Sequence, residues 1–113
     1  MTPDRGQIVW VSFNPQTGHE QAGRRPALVI SPAAYNGVSN CILVCPITSN
    51  TAPWPWKVML PDGGDIAGAV TGAVLVDQVN SIDARARNVE ATGQAVDQAI
   101  MDDLLARLAT LTG

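Results

Sequence analysis

Histidine occurs once, at His19, and cysteine only at Cys41 and Cys45. One imidazole rules out a pair of histidines sharing acid and base duties within a protomer. Two thiolates and that imidazole leave a tetrahedral zinc site one ligand short, so no metal or other cofactor is expected. If residues 41–47 form a strand, the two cysteines share a face about 13 Å apart at ~3.3 Å per residue, too far for a disulfide. They read as buried thiols. Long apolar runs are also missing: Gly, Asn, Pro or Asp interrupts each one well short of the roughly 18 residues that a membrane span needs. The opening Met1-Thr2-Pro3-Asp4-Arg5 carries nothing like a secretory signal, so a cytoplasmic protein without membrane attachment is expected.

Positive charge is scarce too, with 7 Lys and Arg against 10 Asp and Glu for a net −3. Binding of a polyanion by bulk electrostatics is thereby excluded. The distribution is uneven, however. Residues 1–57 hold Arg5, Arg24, Arg25 and Lys57 against Asp4 and Glu20, a balance of +2, whereas residues 58–113 hold three arginines against eight acids, a balance of −5. A local basic patch on an acidic body is the consistent picture.

What is present is an ordinary folding composition, 46% hydrophobic and 15% charged over 113 residues. Residues 1–113 are expected to form one domain around one modest core. Ile8 to Phe13 is rich in β-branched and aromatic residues and stops at the turn signal Asn14-Pro15, which predicts a strand. Further strands are predicted at 27–30, 41–45, 57–60 and 72–76, with weaker candidates at 79–82 and 89–94. The continuously apolar run 41–45 suits a strand buried on both faces. Pro46 is expected to mark an edge or the end of regular pairing, and 32–40 reads as a turn region. In the tail Ile100, Leu104, Leu108 and Leu111 recur at helical spacing, with Met101 and Leu105 widening the stripe. Asp97 is the expected N-cap, and Val96 with Met101 fits a hydrophobic staple. Short strands and one terminal helix without βαβ alternation indicate an α+β fold: a small, strongly bent antiparallel sheet covered by a helix.

The most informative stretch is Glu20-Gln21-Ala22-Gly23-Arg24-Arg25-Pro26, which closes a long structureless segment and empties into the apolar Ala27-Leu28-Val29-Ile30. Loops of that length in compact domains are usually functional or disordered. A residue before proline is pushed into extended geometry, so the backbone aims the Arg25 guanidinium. Gly23 permits an unusual dihedral or a close approach by a ligand. Thr48, Ser49 and Asn50 emerge at the end of a predicted strand, where hydroxyl and amide groups can meet a ligand. Pro53-Trp54-Pro55-Trp56 is stiff and aromatic; the two rings either stack on bases or pack a surface or dimer contact.

These segments resemble a known family. The block Glu20-Gln21-Ala22-Gly23-Arg24-Arg25-Pro26, followed by Cys45-Pro46-Ile47-Thr48-Ser49 and Asp77-Gln78-Val79-Asn80-Ser81-Ile82, together with Gly6-Gln7-Ile8-Val9-Trp10, is similar to the MazF/PemK toxins of bacterial toxin–antitoxin systems. The similarity runs in the same order from about Gly6 to the last helix. It implies an SH3-like barrel with a C-terminal helix, a homodimer, and a metal-independent endoribonuclease that cuts single-stranded mRNA at short motifs. It also implies a cognate antitoxin whose disordered C-terminal segment folds over the toxin. Carried over by position, Arg25 and Thr48 match the catalytic arginine and threonine, and Glu20 and Gln78 match positions at or near the RNA groove. Two positions depart from the pattern of some members: Leu75 stands where they carry a basic residue, and Lys57 where they carry an acidic one.

The chemistry implied is attack of a 2′-OH on the adjacent phosphorus, giving a 2′,3′-cyclic phosphate and a 5′-OH. A guanidinium fork suits the charge that gathers on the phosphorane oxygens, and a threonine hydroxyl adds one more donor. The base is Glu20 or His19, or the 2′-OH ionises with little help. His19, Gln21, Arg24, Ser49, Asn50, Lys57 and Gln78 are the candidate RNA contacts, with Gln78 suited to a base edge. A rival reading is a non-catalytic toxin of the CcdB type on the same scaffold. The tail Leu108-Ala109-Thr110-Leu111-Thr112-Gly113 lacks the aromatic expected of that class. A third is a silent RNA-binding regulatory module.

Overall fold

The computed structural model describes residues 2–12, 24–61 and 69–113. Among these residues seven strands form one antiparallel sheet: β1 (Gln7–Ser12), β2 (Arg24–Val29), β3 (Cys41–Thr48), β4 (Lys57–Met59), β5 (Ala73–Leu75), β6 (Asn80–Asp83) and β7 (Glu90–Ala95). Their order is β4-β5-β3-β2-β1-β7, with β6 pairing β3 beside that path. A one-turn helix, α1 (Ala33–Asn36), follows β2, within the stretch that reads as a turn. The long helix α2 (Gln98–Thr112) closes the chain. The sheet is strongly bent but open: among the described residues its two end strands, β4 and β7, do not pair.

Alternation along β1, β2 and β3 sends neighbouring residues into two different apolar clusters. Ile8, Leu28, Cys45 and Ile47 enter the larger one, where Met101 and Leu104 of α2 cover them. Val9, Val11, Ala27, Val29, Ile42 and Val44 enter the second, with Ile82 of β6. The central strands are therefore buried on both faces, as the unbroken apolar run 41–45 requires. Burying a side chain the size of Leu104 contributes about 1.5–3 kcal/mol.

Helix α2 starts where its cap dictates. Asp97 Oδ1 accepts from the Ile100 N–H at 2.9 Å, and Val96 packs against the cluster that holds Met101. The apolar stripe contacts the core as far as Leu108. Leu111 does not continue it, being 47% exposed.

Pro46 corrects a second expectation, since it lies inside β3 rather than at its end. The Leu43 carbonyl accepts from Ile30 N–H at 2.9 Å, so odd-numbered positions of β3 hydrogen-bond toward β2. Pro46, at an even position, turns its missing N–H the other way. On that side β3 pairs β6 through Val44 and β5 from Ile47 onward, so the proline falls in the gap between two partners. No ladder bond is lost there.

Gly72 fixes the end of β3. Its φ is +116°, and a Cβ placed there would lie 2.2 Å from the Thr48 carbonyl oxygen. Both the dihedral and the approach exclude a side chain. Gly72→Ala is expected to destabilise the fold by at least ~2 kcal/mol, read as a lower urea midpoint. An unchanged midpoint would show that the contact between Gly72 and the Thr48 carbonyl is not rigid.

Candidate active site

The register Ala27↔Pro46, Leu28↔Cys45, Val29↔Val44 joins β2 to β3. Continued by two residues, it sets Arg25 opposite Thr48 on the same face of the sheet. The ladder does not close over them. In β2 the Ile30 N–H bonds to β3, so even positions face β3 and Pro26 presents that strand with no N–H. Pairing stops at Ala27, although β2 begins at Arg24 and β3 runs to Thr48. The strands part where proline ends the ladder, and a cleft of about 680 Å³ opens there.

Arg25 and Pro26 line the cleft from β2, and residues 46–49 line it from β3. Gln78 enters from the 3₁₀ turn Val76–Gln78. Asn80, paired with Val44, shares the face of Arg25 and Thr48 and also lines the cleft, as does Thr71. Arg25 is the single charged residue among the described lining residues. No hydrogen-bond or ion-pair partner occupies its guanidinium among the described residues. The Thr48 Oγ1 accepts from the Asn50 N–H at 3.1 Å, which leaves its own proton free to donate outward. A cation without a partner among the described residues and an oriented hydroxyl, with uncharged amides nearby, suit a phosphodiester flanked by bases.

The remaining candidates are placed differently. Arg24 alternates to the opposite face, where it pairs with Glu90 at 3.0 Å and lies 5.9 Å from the Trp10 ring centroid. Asn50 shapes the loop: its Oδ1 accepts from the Ala52 N–H at 3.0 Å. Lys57 donates to the carbonyls of Asn50 and Ala52, each at 2.9 Å. Neither Asn50 nor Lys57 lines the cleft. His19, Glu20 and Gln21 lie outside the described residues. Trp54 and Trp56 meet edge to face with centroids 5.4 Å apart. Trp56 packs on the main cluster and donates to Thr110 Oγ1 at 3.0 Å. Trp54 stays 48% exposed, its indole N–H on Asp77 Oδ2 at 3.1 Å. Sequence reasoning gave Asn80 and Thr71 no role. Asn80 sits two residues after Gln78 in the family-like segment 77–82, a usable signal; Thr71 reaches the cleft only through tertiary folding.

With this geometry in place, comparison with known proteins is decisive. Residues 4–112 match the model of the PemK-like, MazF-like toxins of type II toxin–antitoxin systems. The chain belongs to this family. It is 41% identical over 91 residues to the endoribonuclease toxin MazF of Escherichia coli K12, covering 80% of this chain and 78% of the relative. It is 40% identical over 110 residues to the endoribonuclease PemK of Escherichia coli, covering 96% and 80%. The fold superposes on crystalline MazF of Deinococcus radiodurans with a TM-score of 0.83 at 42% identity, covering 100% of this chain and 98% of that one. MazF from a MazE–MazF crystal of the same organism gives a TM-score of 0.86 at 40% identity with the same coverage.

Among the described residues of this MazF/PemK-family chain, no three His, Cys, Asp or Glu side chains cluster to hold a metal ion. Cys45 offers no nucleophile either. Burial, with a smaller push from the Asp77 carboxylate, raises its thiol from 9.0 to about 12, and the Sγ sits 3.9 Å from the Val76 carbonyl. The folded chain thus keeps a proton that the unfolded chain releases. Its contribution to stability is complete below pH 9 and is lost as pH rises toward 12. Urea titrations from pH 8 to 11 are expected to show this as an alkaline slope of up to about 1.4 kcal/mol per pH unit. Cys45→Ala should lower stability throughout and remove that part of the slope. An identical slope in the variant would assign the alkaline loss to other groups.

Proposed function

We infer that this chain is the endoribonuclease toxin of a type II toxin–antitoxin pair and cuts single-stranded mRNA at short motifs without a metal ion. The observation that carries this reading is Arg25 facing Thr48 at the mouth of an open cleft. Family membership and the 40–41% identity to MazF and PemK endoribonucleases support it.

The scissile phosphate lies between the two side chains. As the 2′-oxygen bonds to phosphorus and the P–O5′ bond breaks, charge collects on the non-bridging oxygens. The Arg25 fork holds two of them, and the Thr48 hydroxyl donates to one. The leaving 5′-oxygen takes its proton from solvent at the open cleft, and the products are a 2′,3′-cyclic phosphate and a 5′-OH. Arginine gives up a proton reluctantly, so the role of Arg25 is mainly electrostatic. The 2′-OH proton passes to a base in the segment before β2, where Glu20 is the candidate and His19 the other titratable group. Gln78, with donor and acceptor on one amide, reads a base edge at the rim, and Ser49 adds a hydroxyl.

The cleft is open along one side, which suits an extended strand of RNA. It equally suits an antitoxin whose disordered C-terminal tail folds on binding. The MazE–MazF assemblies of Deinococcus radiodurans support such a partner. The toxin acts as a homodimer in the cytoplasm. Among the described residues no helix is long and apolar enough to cross a membrane.

Purified protein in EDTA should release RNA fragments bearing 2′,3′-cyclic phosphates and 5′-OH ends at recurring short motifs. Arg25→Ala and Thr48→Ala should each lower kcat by about 10²–10³-fold with the circular dichroism and unfolding midpoint retained. Undiminished cutting by either variant would refute its assignment, and RNA bound but returned uncut by the unmodified protein would favour a silent binding module.

A further inference from the structure

We propose that Lys57 is a positioning residue for the Thr48 hydroxyl rather than a contact for RNA phosphate. The inference rests on the endoribonuclease reading above and on the position of Lys57, which lies outside the cleft lining. A lysine that bound RNA would hold its ammonium toward the ligand. Lys57 is instead half-buried and turns inward to two loop carbonyls, Asn50 O and Ala52 O, each at 2.9 Å. Those carbonyls belong to the turn that sets Thr48. Asn50 N–H donates to Thr48 Oγ1 at 3.1 Å, and Ala52 N–H donates to Asn50 Oδ1 at 3.0 Å.

The chain of contacts therefore runs from ammonium to loop carbonyls to the Asn50 amide to the reacting hydroxyl. Without the ammonium, the carbonyls of Asn50 and Ala52 face one another with no shared donor, and the turn is free to rotate. The Asn50 N–H then leaves the Thr48 oxygen, and the hydroxyl loses the contact that, among the described residues, orients it. The rest of the loop is anchored independently, by Trp54 on Asp77, Trp56 on Thr110 and Arg107 on the Pro55 carbonyl. Loss of the clamp is thus confined to residues 49–52, next to the cleft. Small displacements of a group that must meet a transition state lower rates steeply while leaving ground-state binding nearly intact.

The test is Lys57→Met, which keeps the length of the side chain and removes its donors. Single-turnover cleavage of a defined RNA should slow about 10–100-fold with KM and the salt dependence of binding unchanged. In a Thr48→Ala background the same substitution should cost nothing further, because the hydroxyl through which it acts is gone. A phosphate-binding lysine gives the opposite pattern: a raised KM, an intact kcat, and a log K against log salt slope shallower by about 0.7. That result overturns the proposal, as does a loss of equal size in both backgrounds. Amide exchange gives a readout that needs no activity. The Asn50 amide should exchange severalfold faster in Lys57→Met while core amides such as Val44 keep their rates. Equal Asn50 rates in the two proteins would sink the clamp whether or not the protein cuts RNA; faster exchange in a protein that cuts nothing would leave the clamp standing and dispose of the nuclease reading instead.

Discussion

The antiparallel register of β2 on β3 carries the rest of the molecule. It sets Ala27 against Pro46, Leu28 against Cys45 and Val29 against Val44, and through them Arg25 against Thr48. A slip of one residue would set Arg25 against Ile47 or Ser49, whose side chains belong to the other face, and would expose each buried partner. What prevents the slip is apolar burial on both faces. Leu28, Val29, Val44 and Cys45 are all fully buried, and each aliphatic side chain of that size contributes about 1.5–3 kcal/mol. A single ladder hydrogen bond contributes only about 0.5–1.5 kcal/mol net. Packing, not hydrogen bonding, decides which side chains meet at the cleft.

Two prolines then convert a well-packed sheet into a site. Pro46 passes through β3 without loss because its bare nitrogen faces the gap between β6 and β5. Pro26 faces β3 and ends the ladder, so the strands separate one residue before Arg25. If an ordinary residue stood at 26, its N–H could reach β3 and draw the mouth of the cleft shut. The same proline holds Arg25 extended, so one residue both opens the cleft and aims the cation at it. Gly72, pressed against the Thr48 carbonyl, and the turn of residues 50–52 fix the opposite wall.

What could be read from the chain follows from how local each cause is. The cap at Asp97, the helical stripe to Leu108 and the strand segments read at 41–45 and 72–76 rest on neighbours in sequence, and they were legible. Arg25 and Thr48 were legible as a pair only because two motifs resemble those of a known family; neither motif alone points across the sheet to the other. Pro46 misled because a proline at an edge and a proline at a change of partners look identical in sequence. Arg24 and Arg25 read as one basic feature, yet alternation separates them once the strand's starting residue is known. Lys57 read as an RNA contact because nothing in its neighbours shows the two carbonyls that the loop folds onto it. Thr71 lies in a Gly- and Ala-rich stretch with no local signal, and only the path of β5 beside β3 brings it to the cleft.

An acidic protein that handles RNA looks contradictory until the acids are located. Asp77 accepts from Trp54, Glu90 pairs with Arg24, and Asp103 pairs with Arg107. Asp83 accepts from two backbone amides in its turn, and Asp97 caps α2. No described acid lines the cleft. At physiological ionic strength, exposed charges farther apart than about 8 Å are largely screened, so the net −3 would scarcely oppose a phosphate at contact distance from Arg25, as the proposed function requires. The same screening means that little long-range attraction gathers RNA, and affinity must come from short contacts at the cleft. On the proposed function, neutral amides such as Gln78 and Asn80, which line the cleft, would supply contacts of that kind, and these depend on which base is presented. On the proposed function, weak non-specific attraction and selectivity for short motifs would have one origin: one cation in a cleft whose other described lining residues carry no charge.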